Sequence, residues 1–149
     1  MGDEPTKVPI GRALWDAVQF LHREFDEVLA REGGSRPVWF VLLALCSGPV
    51  TSQRDIAEKV GIQGATLTHH LSAMEEAGLI RRYRAPEDRR VQKIELTEAG
   101  WELFGRLSRA ARDFDERIRR GVPDEDIDLV RRTLERLVAN AAGAAGYRE

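Results

Sequence analysis

At 149 residues, with 42% hydrophobic and 32% charged side chains, the chain has the length and balance of a soluble globular protein with a real core. No apolar run reaches the length of a membrane span, no signal peptide opens it, and a single cysteine leaves no internal disulfide, so a cytoplasmic location is expected. A formal net charge of −2 means that any basic surface is local and that acidic helices lie elsewhere.

The polar opening, MGDEPTKVP, is expected to fray. Ile10, Leu14, Ala17, Val18, Leu21, Phe25 and Val28 then recur at three-to-four spacing and predict a long helix over 8–31, ended by Gly33-Gly34. Ser35 and Pro37 start a second helix, because proline is tolerated in a first turn. Trp39, Val41, Leu42, Leu43 and Leu45 make that helix apolar nearly all round, so it is expected to lie buried in the middle of the fold. Ser47-Gly48-Pro49 breaks it, and Val50-Thr51 is expected to form a short strand beside a later hairpin.

Ser52 can cap the next helix, with Asp55 close to the reciprocal capping arrangement. Ile56, Ala57 and Val60 form its inward stripe, and Gly61 supplies the left-handed stop. A fourth helix runs from Gln63 or Gly64 to Ala77 and is closed by Gly78. Leu67, Leu71 and Met74 define its buried face; the opposite face carries Ala65, Thr68, His69 and Ser72, with Thr66 and Glu76 at the margins. That outer face is small and polar, where a merely solvated helix of this chain would carry Lys, Glu and Arg. Small residues allow close approach to base edges, and hydroxyls and imidazole exchange hydrogen bonds there. It has the character of a DNA recognition helix.

A hairpin follows at once. Leu79 and Ile80 anchor its first strand, and Arg81, Arg82 and Arg84 flank Tyr83. The tip reads Ala85-Pro86-Glu87-Asp88-Arg89-Arg90, with Pro86 as turn starter. Val91, Ile94 and Leu96 return to the core, and Thr97 caps a fifth helix. Between positions 81 and 93, Arg81, Arg82, Arg84, Arg89, Arg90 and Lys93 oppose only Glu87 and Asp88, the electrostatic footprint of phosphate binding. Helix, turn, helix and hairpin in this order make a winged helix-turn-helix.

Leu103, Leu107, Ala111, Phe114 and Ile118 form the stripe of a helix from Glu98 to about Arg120, with Phe104 as a further candidate for burial. Gly121-Val122-Pro123 breaks it, and Asp124 is expected to cap a last helix reaching Ala142. Its apolar positions are Ile127, Val130, Leu134, Leu137, Val138 and Ala141, and the tail GAAGYRE is expected to be loose. These terminal stripes exceed what the small winged unit can cover, so a second copy of the chain is the economical cover. The expected fold is mainly α, about six helices plus a β-hairpin wing, as one domain over 1–149. Segments 8–31 and 98–142 would dimerise and 35–97 would form the DNA-binding lobe.

The run AEKVG, the segment ATLTHHLSAMEEAGLI, the wing PEDRR and the exit IELTEAG together resemble the MarR family of bacterial regulators. The resemblance covers most of the chain. The family's wing motif Asp-x-Arg is present as Asp88 and Arg90. Where the family often has Thr-Val-Thr-Arg, this chain has Thr66-Leu67-Thr68-His69. The resemblance implies a homodimer on double-stranded DNA, most often a repressor of a pseudo-palindromic operator released by a small aromatic or phenolic effector. Half-site centres would lie roughly 10 base pairs apart.

The candidate DNA contacts are Arg36, Ser52, Gln53, Arg54, Gln63, Ala65, Thr66, Thr68, His69, Ser72, Arg82, Arg89 and Arg90. Arg90 is expected in the minor groove, where negative potential concentrates, its alternative being a solvated turn arginine. Arg81, Arg82 and Arg84 alternate along a strand, so at least one is structural. Asp88, in the family pattern, orients the wing. His70 is a packing histidine rather than a contact. Trp15, His22 and Trp39 are candidates for an effector crevice, against core packing for the tryptophans, with Arg12 and Arg23 as conjectural carboxylate partners.

No cofactor and no metal are expected, since adjacent histidines on a helix do not chelate together. Cys46 at the end of a buried helix is expected to be a small apolar residue. An enzyme would need a nucleophile–base pair or a phosphate loop, and neither is legible. The rival reading is a winged helix that binds protein without sequence-specific DNA binding, which apolar residues on the outer face of the fourth helix would favour.

Overall fold

The helices end where caps and left-handed glycines place them. The computed structural model describes residues 7–48 and 52–145. Its elements are α1 (Ile10–Arg31), α2 (Arg36–Cys46), α3 (Gln53–Val60), α4 (Gly64–Glu76), β1 (Ile80–Arg84), β2 (Gln92–Leu96), α5 (Glu98–Arg119) and α6 (Asp124–Ala145). Ser35 and Ser52 cap α2 and α3, accepting from Val38 N and Asp55 N at 3.4 and 3.2 Å. Gly61 ends α3 at φ 72°, the left-handed value that lets the chain turn into α4.

The chain divides into two compact units, 1–112 and 113–149, so the boundary falls inside α5. The first has a core drawn from every element it contains except β2. Leu29 of α1, Val41 and Leu42 of α2, Ile56 of α3, Leu67 and Leu71 of α4 and Leu107 of α5 are fully buried, with Met74 and Ile80 beside them. Apolar composition overstates the burial of α2: Phe40 and Leu43 are exposed, because that helix is covered on one side only. The wing is a two-stranded antiparallel sheet with Ile80 opposite Leu96, Arg82 opposite Ile94 and Arg84 opposite Gln92.

One residue ties the wing to α5. Thr97 Oγ1 donates to Gly78 O at 2.5 Å and accepts from Gly100 N at 3.1 Å, while Thr97 N donates to Leu79 O at 3.0 Å. Gly100 is obligatory there, since a Cβ would stand 2.1 Å from the Leu79 carbonyl oxygen.

In the second unit Arg119 holds the turn between helices, pairing with Asp115 at 3.4 Å and Asp124 at 2.8 Å. Asp124 is the first helical residue rather than the cap, and the carbonyl of Pro123 starts the helix by accepting from Asp126 and Ile127. The helix also runs past Ala142, taking in the first residues of the tail expected to be loose. No side chain described in α6 is buried. The expected strand at Val50-Thr51 and the ends of the chain lie outside the described residues. Among the described residues, no helix is long and apolar enough to cross a membrane.

Candidate nucleic-acid interface

α4 has two faces of opposite chemistry. Leu67, Leu71 and Met74 point into the core, while Ala65, Thr66, Thr68 and His69 are exposed. Thr68 Oγ1 donates to Gly64 O at 2.9 Å, which leaves its lone pairs free to accept. His70 is half-buried, its ring 5.9 Å from that of His69. Gln63 occupies the N-cap without a side-chain capping bond, and the first turn holds no acid. The leading amides of α4 therefore meet neither a capping side chain nor an acid of their own first turn, an arrangement suited to receiving a phosphate.

Beside it, an open cleft of about 590 Å³ runs between α3 and the start of α4, lined by Gln53, Arg54, Glu58, Gln63, Gly64 and Thr68 among others. Ser52 holds its cap, and Arg54 is exposed with Nε 3.1 Å from Glu58 Oε1. Such an exposed pair holds an arginine weakly. Gln53 Nε2 is enclosed and has no hydrogen-bond partner among the described residues, so that nitrogen is turned inward. Arg36 lies at the start of α2 with Nε 2.5 Å from Asp26 Oδ1, an ion pair to α1.

The wing tip is shaped by its own side chains. Asp88 Oδ1 accepts from Arg90 N at 2.9 Å, and Ala85 N donates to Val91 O at 2.9 Å. Arg84 Nη1 donates to Arg89 O at 2.7 Å and braces the turn from the strand. The side chains of Arg89 and Arg90 stand exposed and make no ion pair among the described residues. On the outer wing face Arg81 lies 3.7 Å from Glu95, whose carboxylate also accepts from the Tyr83 hydroxyl. That bond pushes the Tyr83 phenol above its ordinary pKa.

The three strand arginines differ sharply. Arg82 is turned against α4: Nε and Nη2 donate to Glu75 Oε2 at 2.9 and 2.7 Å, its backbone N to Glu75 Oε1 at 3.2 Å, and Nη2 also to Ser72 Oγ at 3.3 Å. The Arg82 guanidinium bond, more than its backbone bond or its charge, holds the Glu75 carboxyl below its usual pKa. Arg82 thus commits its guanidinium to a bond across to α4, a structural role of the kind expected of at least one of the three, and Arg84 braces the turn. Ser72 is drawn into the same cluster. Glu75 is not legible as a partner from sequence, because it sits seven residues away on a different element.

Recognition row and basic tip stand on one winged lobe, and the sequence profile of the MarR family matches residues 35–91. The crystal structure of transcriptional regulator PA3341 is similar at 30% identity with a TM-score of 0.75, over 90% of this chain and 98% of that one. The chain belongs to the MarR family. The transcriptional repressor CouR, solved on a 23-mer DNA duplex, is similar at 27% identity and a TM-score of 0.77, over 86% of this chain and 91% of that one. The HTH-type regulator YdgJ of Bacillus subtilis (strain 168) is 33% identical over 89 residues, 60% of this chain. That match spans 54% of YdgJ, about half of its length.

The crevice candidates of this MarR-family chain do not share one environment. Trp39 is buried and stacks on Phe104 at 5.7 Å, with Trp101 edge-on to Phe104 at 6.1 Å. Trp39 therefore follows the packing alternative, and the half-buried Phe104 is its partner. Trp15, 62% exposed, and His22 stand on the open side of α1. Arg12 is paired with Asp16 at 2.9 Å, and Arg23 lies over the Phe20 ring at 5.1 Å. Partial burial raises the pKa of the Cys46 thiol, the direction of an unreactive cysteine.

Proposed function

We propose that this MarR-family protein is a homodimeric, sequence-specific DNA-binding repressor of a pseudo-palindromic operator, released by a small aromatic or phenolic ligand. The carrying observation is the exposed row Ala65, Thr66, Thr68 and His69, whose hydroxyls and imidazole meet no competing acid in the first turn of α4. In this reading Thr66, Thr68 and His69 touch base edges or phosphate, Arg90 enters the minor groove, and Arg89 touches phosphate. Ser52, Gln53, Arg54 and the amides after Gln63 line the backbone approach. An interaction module would want apolar residues on the same row, and the row has none beyond the methyl of Ala65.

The second copy is called for by the exposed stripes. Leu129, Val130, Leu134 and Val138 of α6 and Ile10, Trp15 and Val18 of α1 are all 40% exposed or more. Surface of this kind on a soluble protein marks an association face, and twofold pairing closes it without leaving a free copy of the patch. Two recognition helices related by that axis would enter successive major grooves. CouR, a repressor carried on duplex DNA, supports the direction of regulation. An aromatic ligand near Trp15 and His22 would act by favouring a spacing of the helices that no longer fits DNA.

A gel-shift series on the region upstream of its own gene tests the reading. A palindrome-dependent shift at low salt, weakened by a phenolic acid that also raises the melting temperature, is the expected result. No palindrome-dependent shift would remove the proposal.

A further inference from the structure

The Arg82 cluster has a geometry that neither phosphate contact nor chance surface pairing explains. The Arg82 side chain is 18% exposed, against 31% for Arg36 in its own ion pair and 72% for the neighbouring Arg81. Its guanidinium and its own backbone N–H both grip one carboxylate, so the side chain and the strand it belongs to are fixed together. Glu75 lies in the last turn of α4, one turn beyond Ser72 and on the side of the helix that meets β1. The register puts Arg82 opposite Ile94, at the middle of the hairpin, where a tether controls the tilt of both strands.

We propose that the Glu75–Arg82–Ser72 cluster is a positioning device that sets the distance and angle between the wing tip and the recognition row. The proposal rests on the DNA-binding reading above and adds a residue set that acts through Arg89 and Arg90 rather than on DNA itself. Among the described residues the wing is the pair β1 and β2, and an antiparallel pair has little stability of its own. Its base is held by Ile80 and the Thr97 bonds, and its tip by Asp88 and Arg84. Between the two, Ile94 packs against the core, and the charge-assisted bonds of Glu75 to Arg82 on the same rung join the middle of the hairpin to α4. Without them the tip arginines sample many positions, and each loses the orientation on which a groove contact depends.

The sign of one substitution separates this from ordinary electrostatics. Glu75→Ala removes a negative charge from a helix that approaches a polyanion, and simple charge arithmetic raises affinity. The cluster as a positioning device requires the opposite, a loss of about tenfold. Glu76→Ala, one residue on and exposed, serves as the charge control and leaves affinity equal or higher. Arg90→Ala in the Glu75→Ala background then costs much less than in the wild type, because the tip is already misplaced.

The experiment is a set of anisotropy titrations of the full-length wild type, the single variants and the double variant on an operator duplex recovered with the wild type. Amide exchange of the free proteins accompanies it. The expected exchange result is faster exchange over 80–96 in Glu75→Ala with α2 unchanged. Equal or tighter DNA binding by Glu75→Ala, additive effects with Arg90→Ala, or unaltered wing exchange would each overturn the proposal. If the wild type binds no duplex specifically, the DNA reading fails by itself, and wing exchange still decides whether the cluster holds the hairpin.

Discussion

α4 and α6 both present leucine-rich stripes, and the two stripes have opposite fates. Leu67 and Leu71 of α4 are completely enclosed, whereas Leu129, Val130, Leu134 and Val138 of α6 are between 40% and 69% exposed. Helical periodicity reports which side of a helix is apolar and nothing about what covers it. In α4 the cover is made by the same chain, from α2, α3 and β1, so the outer polar row is fixed in space as a consequence. In α6 the apolar face is exposed in the single chain, and under the dimer proposed above a second copy is its cover. The first region closes its own core; the second leaves its apolar side open.

The contrast can be broken by substitution. Leu71→Ala should cost about 3 to 4 kcal/mol by urea unfolding, independent of protein concentration, because it opens a cavity in a closed core. Gly100→Ala should cost about 2 to 3 kcal/mol, since its methyl carbon would meet the Leu79 carbonyl and push the start of α5 off the wing. Leu134→Asp should behave differently. Its effect should vanish at high dilution and appear as a lost concentration dependence of Tm with a halved mass by light scattering. A concentration-independent loss equal to that of Leu71→Ala would mean that α6 is covered within its own chain.

Smaller in effect, Arg90→Ala sharpens the assignment of the tip. Affinity for every operator should fall, and the slope of log K against log salt should flatten by about 0.9 if one phosphate contact is lost. An unchanged slope would place Arg90 outside the phosphate and groove contacts, as a solvated turn residue.

Legibility followed the range of the interaction. Ser35, Ser52 and Gly61 act within three or four residues, and the sequence marks them correctly as helix ends. The two faces of α4 were legible for the same reason, as was Thr97 at the start of α5. Pairings between elements were not. Arg36 carries no mark that Asp26 of another helix will claim it, and Arg82 resembles Arg81 and Arg84 until the fold brings Glu75 to it. The alternation of the strand showed that the three cannot all face the same way and that at least one is structural, without showing which. Phe40 and Leu43 look like core by composition, and only the one-sided covering of α2 leaves them outside.

The most direct test of DNA reading by α4 and the wing is selection of duplexes from a random pool by the wild-type protein. Paired recognition helices predict an enriched inverted repeat with half-site centres roughly 10 base pairs apart, and loss of the enriched half-site preference in Thr68→Ala and His69→Ala. An unsymmetrical motif, no enrichment at all, or an unchanged motif in both variants would contradict it.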